Sequence, residues 1–233
     1  MVVILKNIGK TFKKHRVFEN VSLEIRKNSL ITFVGPNGVG KTTLLKVIAG
    51  ILHKDEGNIF FDTKEIFSTK ESFHSLAFFV SESTLMENLT GREHLLLLPK
   101  EQKERTEKLI EYFVAHDLLK KKVKSYSLGM KQILLIILTC SFDVPILIFD
   151  EILNGLDPIN RRKAMNLLLK LKKEKIIFLS SHQLMEVSEV SDEIYFLHDE
   201  GLEKLEEEID SMSLESLYLE KITEGLDEAE IDF

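Results

Sequence analysis

Gly35-Pro36-Asn37-Gly38-Val39-Gly40-Lys41-Thr42-Thr43 holds the residue types a phosphate cradle needs, at the spacing G-x-x-x-x-G-K-[ST]. Glycines let backbone N–H groups turn inward around phosphate oxygens, and a helix that starts where the loop ends aims its positive end at them. Lys41 offers a point charge to the β- and γ-phosphates, and the Thr42 hydroxyl is an oxygen ligand for Mg²⁺. The bland alternative is a strand–helix turn that uses glycine for geometry alone. Context decides against it. Leu30 to Val34 reads as a short buried strand before the loop, and Leu44 to Ala49 as a helix after it, closed by Gly50. A nucleoside-triphosphate site is the expectation.

Two adjacent acids, Asp150 and Glu151, end the apolar run Ile146-Leu147-Ile148-Phe149, where α/β sheets place ligand chemistry. They can divide the labour: Asp150 holds Mg²⁺ through water, and Glu151 orients or deprotonates the attacking water. Alone they would equally suit solvent-facing acids at a strand end. Tyr126-Ser127-Leu128-Gly129-Met130-Lys131-Gln132 precedes an apolar helix from Ile133 to Cys140, with Ser127 as its N-cap and its first N–H groups as an anion site. As a lone motif this is only a helix start. His182, at the end of Leu179-Ser180-Ser181, is in place to reach a γ-phosphate, although a lone strand-end histidine is more often a polar cap. Phe12 is the one aromatic on the first turn, and it serves either strand-end packing or the adenine ring.

The elements that must position these residues alternate. Val2 to Ile8 and Val17 to Ile25 read as strands joined through Gly9 to Phe12 and the basic Lys13-Lys14-His15-Arg16, giving a small antiparallel sheet ahead of the nucleotide strand. Short strands follow at Asn58 to Phe61 and Leu76 to Val80. From Thr90 to about Cys140 the pattern turns helical: Thr90-Gly91-Arg92-Glu93 is a capping box, Pro99 breaks that helix, and Glu101 to Ala115 makes the next. Strand 146–149, helix 159–173, strand 176–180, helix 183–190 and strand 193–197 then restore the alternation of a parallel sheet.

Composition sets the outer limits. With 233 residues, 44% hydrophobic and 30% charged, the chain suits an ordinary globular protein. Its net charge of −7 is uneven: Glu203 to Asp232 carries twelve acids against two lysines, so the remainder is net positive by three. That tail reads as a solvated surface, expected to be dispensable for ATP hydrolysis from about residue 210. The absence of a basic stripe with interleaved aromatics argues against a nucleic-acid partner. Cys140 has no second cysteine and lies in an apolar run, as expected for a core thiol in a reducing compartment. The charged residues close to Met1 fit no signal peptide, and no apolar run approaches the ~20 residues of a membrane span.

Taken in this order, the pieces resemble the ATP-binding cassette family, the motor subunits of ABC transporters, over the chain to about residue 200. The resemblance implies an α/β P-loop NTPase fold, a mixed-sheet core with an N-terminal antiparallel β subdomain and an inserted α-helical subdomain. Residues 1–85 and 141–200 would form the core with its β subdomain, 86–140 the helical subdomain and 201–233 the acidic tail. Gly35 to Thr43 stands as the Walker A loop, Ile146 to Asp150 as Walker B, Glu151 as catalytic base and His182 as the switch histidine. Phe12 falls where the family places an adenine-stacking aromatic. Ser127, Leu128, Gly129 and Met130 look like the signature loop that contacts ATP on a partner cassette, and Asn154-Gly155-Leu156-Asp157 like the loop between the two sites. The chain departs from the family at the usual Mg²⁺-touching glutamine, where Ser81 stands with Glu82 beside it. Leu128 and Met130 are further departures, and Ile152 replaces a common proline.

The resemblance implies ATP and Mg²⁺ as cofactors, and a second cassette, identical or different, as partner. Integral membrane subunits would be other chains, with this one peripheral at the cytoplasmic face. The motif run from Glu87 to Glu93 and Ser127 to Gln132 is more similar to bacterial exporters of drugs, peptides or lipids than to importers. Rivals are a soluble cassette ATPase that remodels ribosomes or DNA, which usually carries two cassettes or a coiled coil, and a non-enzymatic nucleotide-binding regulator, which Lys41, Asp150 and Glu151 oppose.

Overall fold

Alternating apolar residues on a set of parallel strands build two hydrophobic faces, and the site lies where those strands end. In the computed structural model, described over residues 1–72, 74–79, 81–198 and 201–205, the strands form two sheets. β1 (Val3–Phe12) and β2 (His15–Ile25) make an antiparallel hairpin. β3 (Ser29–Val34) runs into the glycine loop and α1 (Lys41–Ile48). β4 (Glu56–Phe61) and β5 (Lys64–Glu65) complete a four-stranded antiparallel sheet, ordered β2-β1-β4-β5. After α2 (Thr69–Ser72) and β6 (Leu76–Phe78) come α3 (Gly91–Leu95), α4 (Lys103–Phe113), α5 (His116–Leu119) and α6 (Leu128–Ser141). β7 (Ile146–Asp150), α7 (Pro158–Leu171), β8 (Ile176–Ser181), α8 (Leu184–Ser188), β9 (Glu193–His198) and β10 (Gly201–Leu205) finish the described chain. The second sheet is ordered β10-β9-β3-β8-β7-β6, parallel except for β10 at its edge.

The central strands are buried on both sides, as helix-covered parallel strands must be. Ile31, Phe33, Ile146, Ile148, Ile176 and Phe178 face the antiparallel sheet and α1. Their neighbours Leu30, Val34, Leu147, Phe149, Ile177 and Leu179 join the core built with α4, α6 and α7. Phe33 and Phe178 stack with ring centroids 5.9 Å apart across β3 and β8; burial of each such ring is worth about 1.5–3 kcal/mol.

α6 is apolar all round, every residue from Gln132 to Ser141 being buried, so it runs through the core rather than along it. α4 buries Thr106, Leu109, Ile110 and Phe113, one helical face, and leaves its charges outside. The capping box at α3 is complete: Glu93 N–H donates to Thr90 Oγ1 at 3.2 Å, and Thr90 N–H to Glu93 Oε2 at 2.7 Å.

Several boundaries differ from the sequence reading; His15 and Arg16, read as part of a basic turn, already belong to β2. β1 does not turn at Gly9 but continues to Phe12, with register shifts near Ile8 and Lys10 that spoil its alternation. Gly201–Leu205, assigned to the acidic tail, is strand β10, pairing with β9 from Gly201–His198 to Leu205–Ile194. β6 is shorter than expected, and Val80 lies outside the described residues, as does the tail from residue 206.

Candidate nucleotide site

Sheet register brings the chemistry together. Asp150 of β7 lies opposite Ser180 of β8, and Ser180 opposite Phe33 of β3, two residues before the loop begins. The carboxylate, the serine and the glycine loop therefore share one end of three adjacent strands.

The loop is built for close approach. Gly40, at φ 112°, immediately precedes α1, and a Cβ there would stand 2.5 Å from Val17 Cγ1. Any side chain would be both strained and obstructed. No side chain caps α1, so its first N–H groups are left for an anion. Lys41 is buried inside the loop, its ammonium 2.8 Å from Gly35 O, 3.0 Å from Pro36 O and 3.9 Å from Glu151 Oε1. Burial lowers its pKa, and the nearby Glu151 and Asp150 carboxylates pull it back upward.

From the helix a continuous chain of hydrogen bonds reaches the acids. Thr42 Oγ1 donates to Asp150 Oδ2 at 2.7 Å, and Ser180 Oγ donates to Asp150 Oδ1 at 2.5 Å. The Glu151 N–H donates in turn to Ser180 Oγ at 3.0 Å. Burial pushes the Asp150 carboxyl above its ordinary range; the Ser180 and Thr42 hydroxyls work against that and Glu151 adds to it. Glu151 itself has φ 49°, a conformation that costs a non-glycine residue about 1–3 kcal/mol and recurs at functional positions. Its Oε2 accepts from Asn154 Nδ2 at 2.7 Å and stands 3.5 Å from His182 Nδ1. Lys41, Thr42, Asp150, Glu151 and His182 thus meet at one place.

Ser180 was not legible as a site residue, and Asn154, placed by resemblance in the loop between two sites, was not legible as a partner of Glu151. Ser180 sits in an apolar run, and only its register against Asp150 gives it a role. Ser180→Ala removes a donor from Asp150 and an acceptor from the Glu151 N–H, while the Glu151 N–H keeps Ser180 O at 3.2 Å. We expect ATP turnover to fall by about tenfold, the equivalent of one lost hydrogen bond to a charged group, with nucleotide affinity held within about twofold. A steady-state assay beside a nucleotide titration checks both.

The other candidates sit at helix caps, a turn and a strand end. Ser127 caps α6 by accepting the Met130 N–H at 3.3 Å, and Leu128 is exposed. Gly129 has a reason within the chain: a Cβ there would stand 2.4 Å from Gly155 O, so the two loops touch through backbone. The Asp157 carboxylate, in the loop that resemblance places between two sites, caps α7 here and accepts the N–H groups of Ile159 and Asn160, each at 3.0 Å. Ser81 and Glu82 begin a short 3₁₀ turn after β6. The Ser81 hydroxyl is 2.6 Å from the Ser83 hydroxyl, engaged within its own turn. Phe12, at the end of β1, is 46% exposed, so packing in the core does not hold it.

A six-stranded, mainly parallel sheet with this loop and paired acids at its carboxyl end defines the molecule as a P-loop nucleoside triphosphatase. A family model described as ABC transporter matches residues 18–154. The lantibiotic transport ATP-binding protein SrtF of Streptococcus pyogenes is 31% identical over 223 residues, covering 94% of this chain and 96% of the relative. The bacitracin transport ATP-binding protein BcrA of Enterococcus faecalis is 32% identical over 210 residues, covering 85% of this chain and 67% of the relative. A solved ATP-binding subunit of an ABC transporter superposes with a TM-score of 0.80 at 25% identity, covering 94% of this chain and 99% of the other. A dimeric cassette described as post-hydrolysis and bound to ADP and Pi gives 0.79 at 23% identity, covering 88% and 98%. The chain belongs to the ABC transporter family, as an ATP-binding, ATP-hydrolysing cassette.

Proposed function

We propose that this cassette is the motor subunit of an exporter, working as a head-to-tail pair over two Mg-ATP and driving separate membrane subunits. The unbroken hydrogen-bond chain Thr42–Asp150–Ser180–Glu151 at the end of the glycine loop carries this reading. In it the Lys41 ammonium and the α1 N–H groups bind the phosphates, and the Thr42 hydroxyl and Asp150 carboxylate hold Mg²⁺. Both are hard oxygen donors, 2.7 Å apart, as that ion prefers. Among the described residues no three His, Cys, Asp or Glu side chains converge into a metal cage. That fits an ion shared with nucleotide phosphates and water, whose chemistry would be to neutralise charge on the transferring phosphoryl group.

Glu151 would orient or deprotonate the attacking water, and His182, 3.5 Å from its Oε2, would reach for the γ-phosphate. Phe12 offers a face to adenine. Ser127 and Gly129 would meet the nucleotide of a second cassette, identical or different. Leu128 and Ile159, exposed in the first turns of α6 and α7, are apolar surface that such a neighbour would cover. Among the described residues no helix is long and apolar enough to cross a membrane. In the proposal the span-forming subunits are other chains, and this one is peripheral at the cytoplasmic face. The relatives named for lantibiotic and bacitracin transport support a cargo of peptide, drug or lipid class.

The test is co-purification of the tagged chain with a membrane protein of about six spans, together with Mg²⁺-dependent ATP hydrolysis that the complex accelerates when cargo is added. Hydrolysis stimulated by ribosomes or DNA, with no membrane partner, would overturn the transporter reading in favour of a soluble remodelling ATPase.

A further inference from the structure

Lys10 is a charged residue buried to 7% exposure outside the phosphate cluster, and nothing described above uses it. Its ammonium lies 2.9 Å from Asp55 Oδ1 and 5.2 Å from the centroid of the Phe12 ring. Asp55 is bound to the same strand twice more: its N–H donates to Gly9 O at 3.0 Å, and its Oδ2 accepts the Thr11 N–H at 2.7 Å. The Thr11 amide, ahead of Lys10, holds the Asp55 carboxyl below its usual range, so it stays ionised across neutral pH. Three bonds from one residue thus fix the last turn of β1, and the aspartate pins the ammonium near Phe12 while that ring remains half exposed.

We propose that Lys10, held by Asp55, is a positioning residue for the nucleotide base, acting through Phe12. This rests on the reading of Phe12 as the adenine platform. A cation against an aromatic ring is attracted by the ring's quadrupole and limits how the ring can swing. It also draws electron density from the ring's other face, which lessens the repulsion felt by a second π-system stacked there. Lys10 therefore prepares an otherwise unsupported ring for a flat aromatic ligand. A lysine that served only the fold would need Asp55 but not the ring.

The experiment compares binding of ATP and of inorganic tripolyphosphate, which has the phosphates without a base, to the full-length chain and its variants. Lys10→Met keeps the stem and removes the charge; Asp55, with a 43% exposed side chain, stays solvated without its partner. Lys10→Met should weaken ATP about threefold to tenfold and leave tripolyphosphate unchanged, and Lys10→Arg should restore most of the loss. Phe12→Ala should weaken ATP about tenfold or more, also sparing tripolyphosphate. Lys10→Met added to Phe12→Ala should cost nothing further, because the lysine acts through the ring. Equal losses for both ligands, or additive losses in the double variant, would overturn the role given to Lys10. If Phe12→Ala shows no preference between the ligands, the adenine-platform reading fails first and the proposal with it. If Phe12→Ala discriminates and Lys10→Met does not, only the proposal falls.

Discussion

Lys41→Ala is expected to lower ATP affinity by about 100-fold. Its ammonium is the cation inside the glycine loop, and the protein has already desolvated it there against Gly35 O and Pro36 O. Each hydrogen bond from a charged group to phosphate is worth about 1.5–3 kcal/mol, and two of them amount to roughly two orders of magnitude in affinity. The methyl group that remains offers nothing in return, and the α1 N–H groups alone cannot neutralise a triphosphate. The fold should survive, because alanine is a good helix former at the first position of α1, and water can enter the space the lysine leaves beside Gly35 O and Pro36 O. Titration calorimetry with ATP, beside a thermal melt, separates the two effects. Wild-type affinity in a folded variant would remove Lys41 from the phosphate site.

Much of this site was legible because its signals are local. Gly35 to Thr43 needs only the strand before it and the helix after it, and the capping box at Thr90 needs only four residues. Ser127 as N-cap is likewise a property of one turn. What escaped depends on partners distant in sequence. The strand at Gly9 to Phe12 looks polar and irregular because Asn7 takes a positive φ of 48° and the pairing with β2 shifts register three times between Leu5 and Thr11. It is held in place by β2 on one side and Asp55 on the other, neither of which a period of two reveals. β10 was hidden in acidic composition: Glu203 and Lys204 point to solvent while Gly201 and Leu205 are buried, and its identity comes from pairing with β9. Ser180 and Asn154 belong to the same class, since a serine in an apolar strand and an asparagine in a turn acquire meaning only from Asp150 and Glu151. Asp157 is the converse case, where a local role is plain. A helix cap explains its carboxylate locally, and the role drawn from resemblance belongs to an assembly with a second cassette.

Glu151→Gln is expected to lower turnover by about 10²–10⁴-fold, the range that a positioned general base contributes, while ATP binding persists. The glutamine keeps the length and one acceptor oxygen for Asn154 Nδ2, and it meets the same backbone cost at φ 49°, so the substitution isolates the charge. Lys41, Thr42 and Asp150 are untouched and still hold the triphosphate. An intact ATP then stays long enough to act as an adhesive. Its γ-phosphate, bound on one side by the glycine loop, would be met on the other by Ser127 and the α6 N–H groups of a second cassette. The expected result is a monomer without nucleotide and a dimer with ATP, measured by size-exclusion chromatography with light scattering. ADP should fail to support that dimer, because it lacks the phosphate both chains share. Ser127→Arg in the same background should prevent assembly while leaving nucleotide bound, since the arginine stem fills the space the phosphate would take. Hydrolysis at the wild-type rate would remove Glu151 from the role of base. A variant that binds ATP yet remains monomeric would keep the catalytic assignment and make the natural partner a different cassette, so the single substitution also decides between identical and mixed pairs.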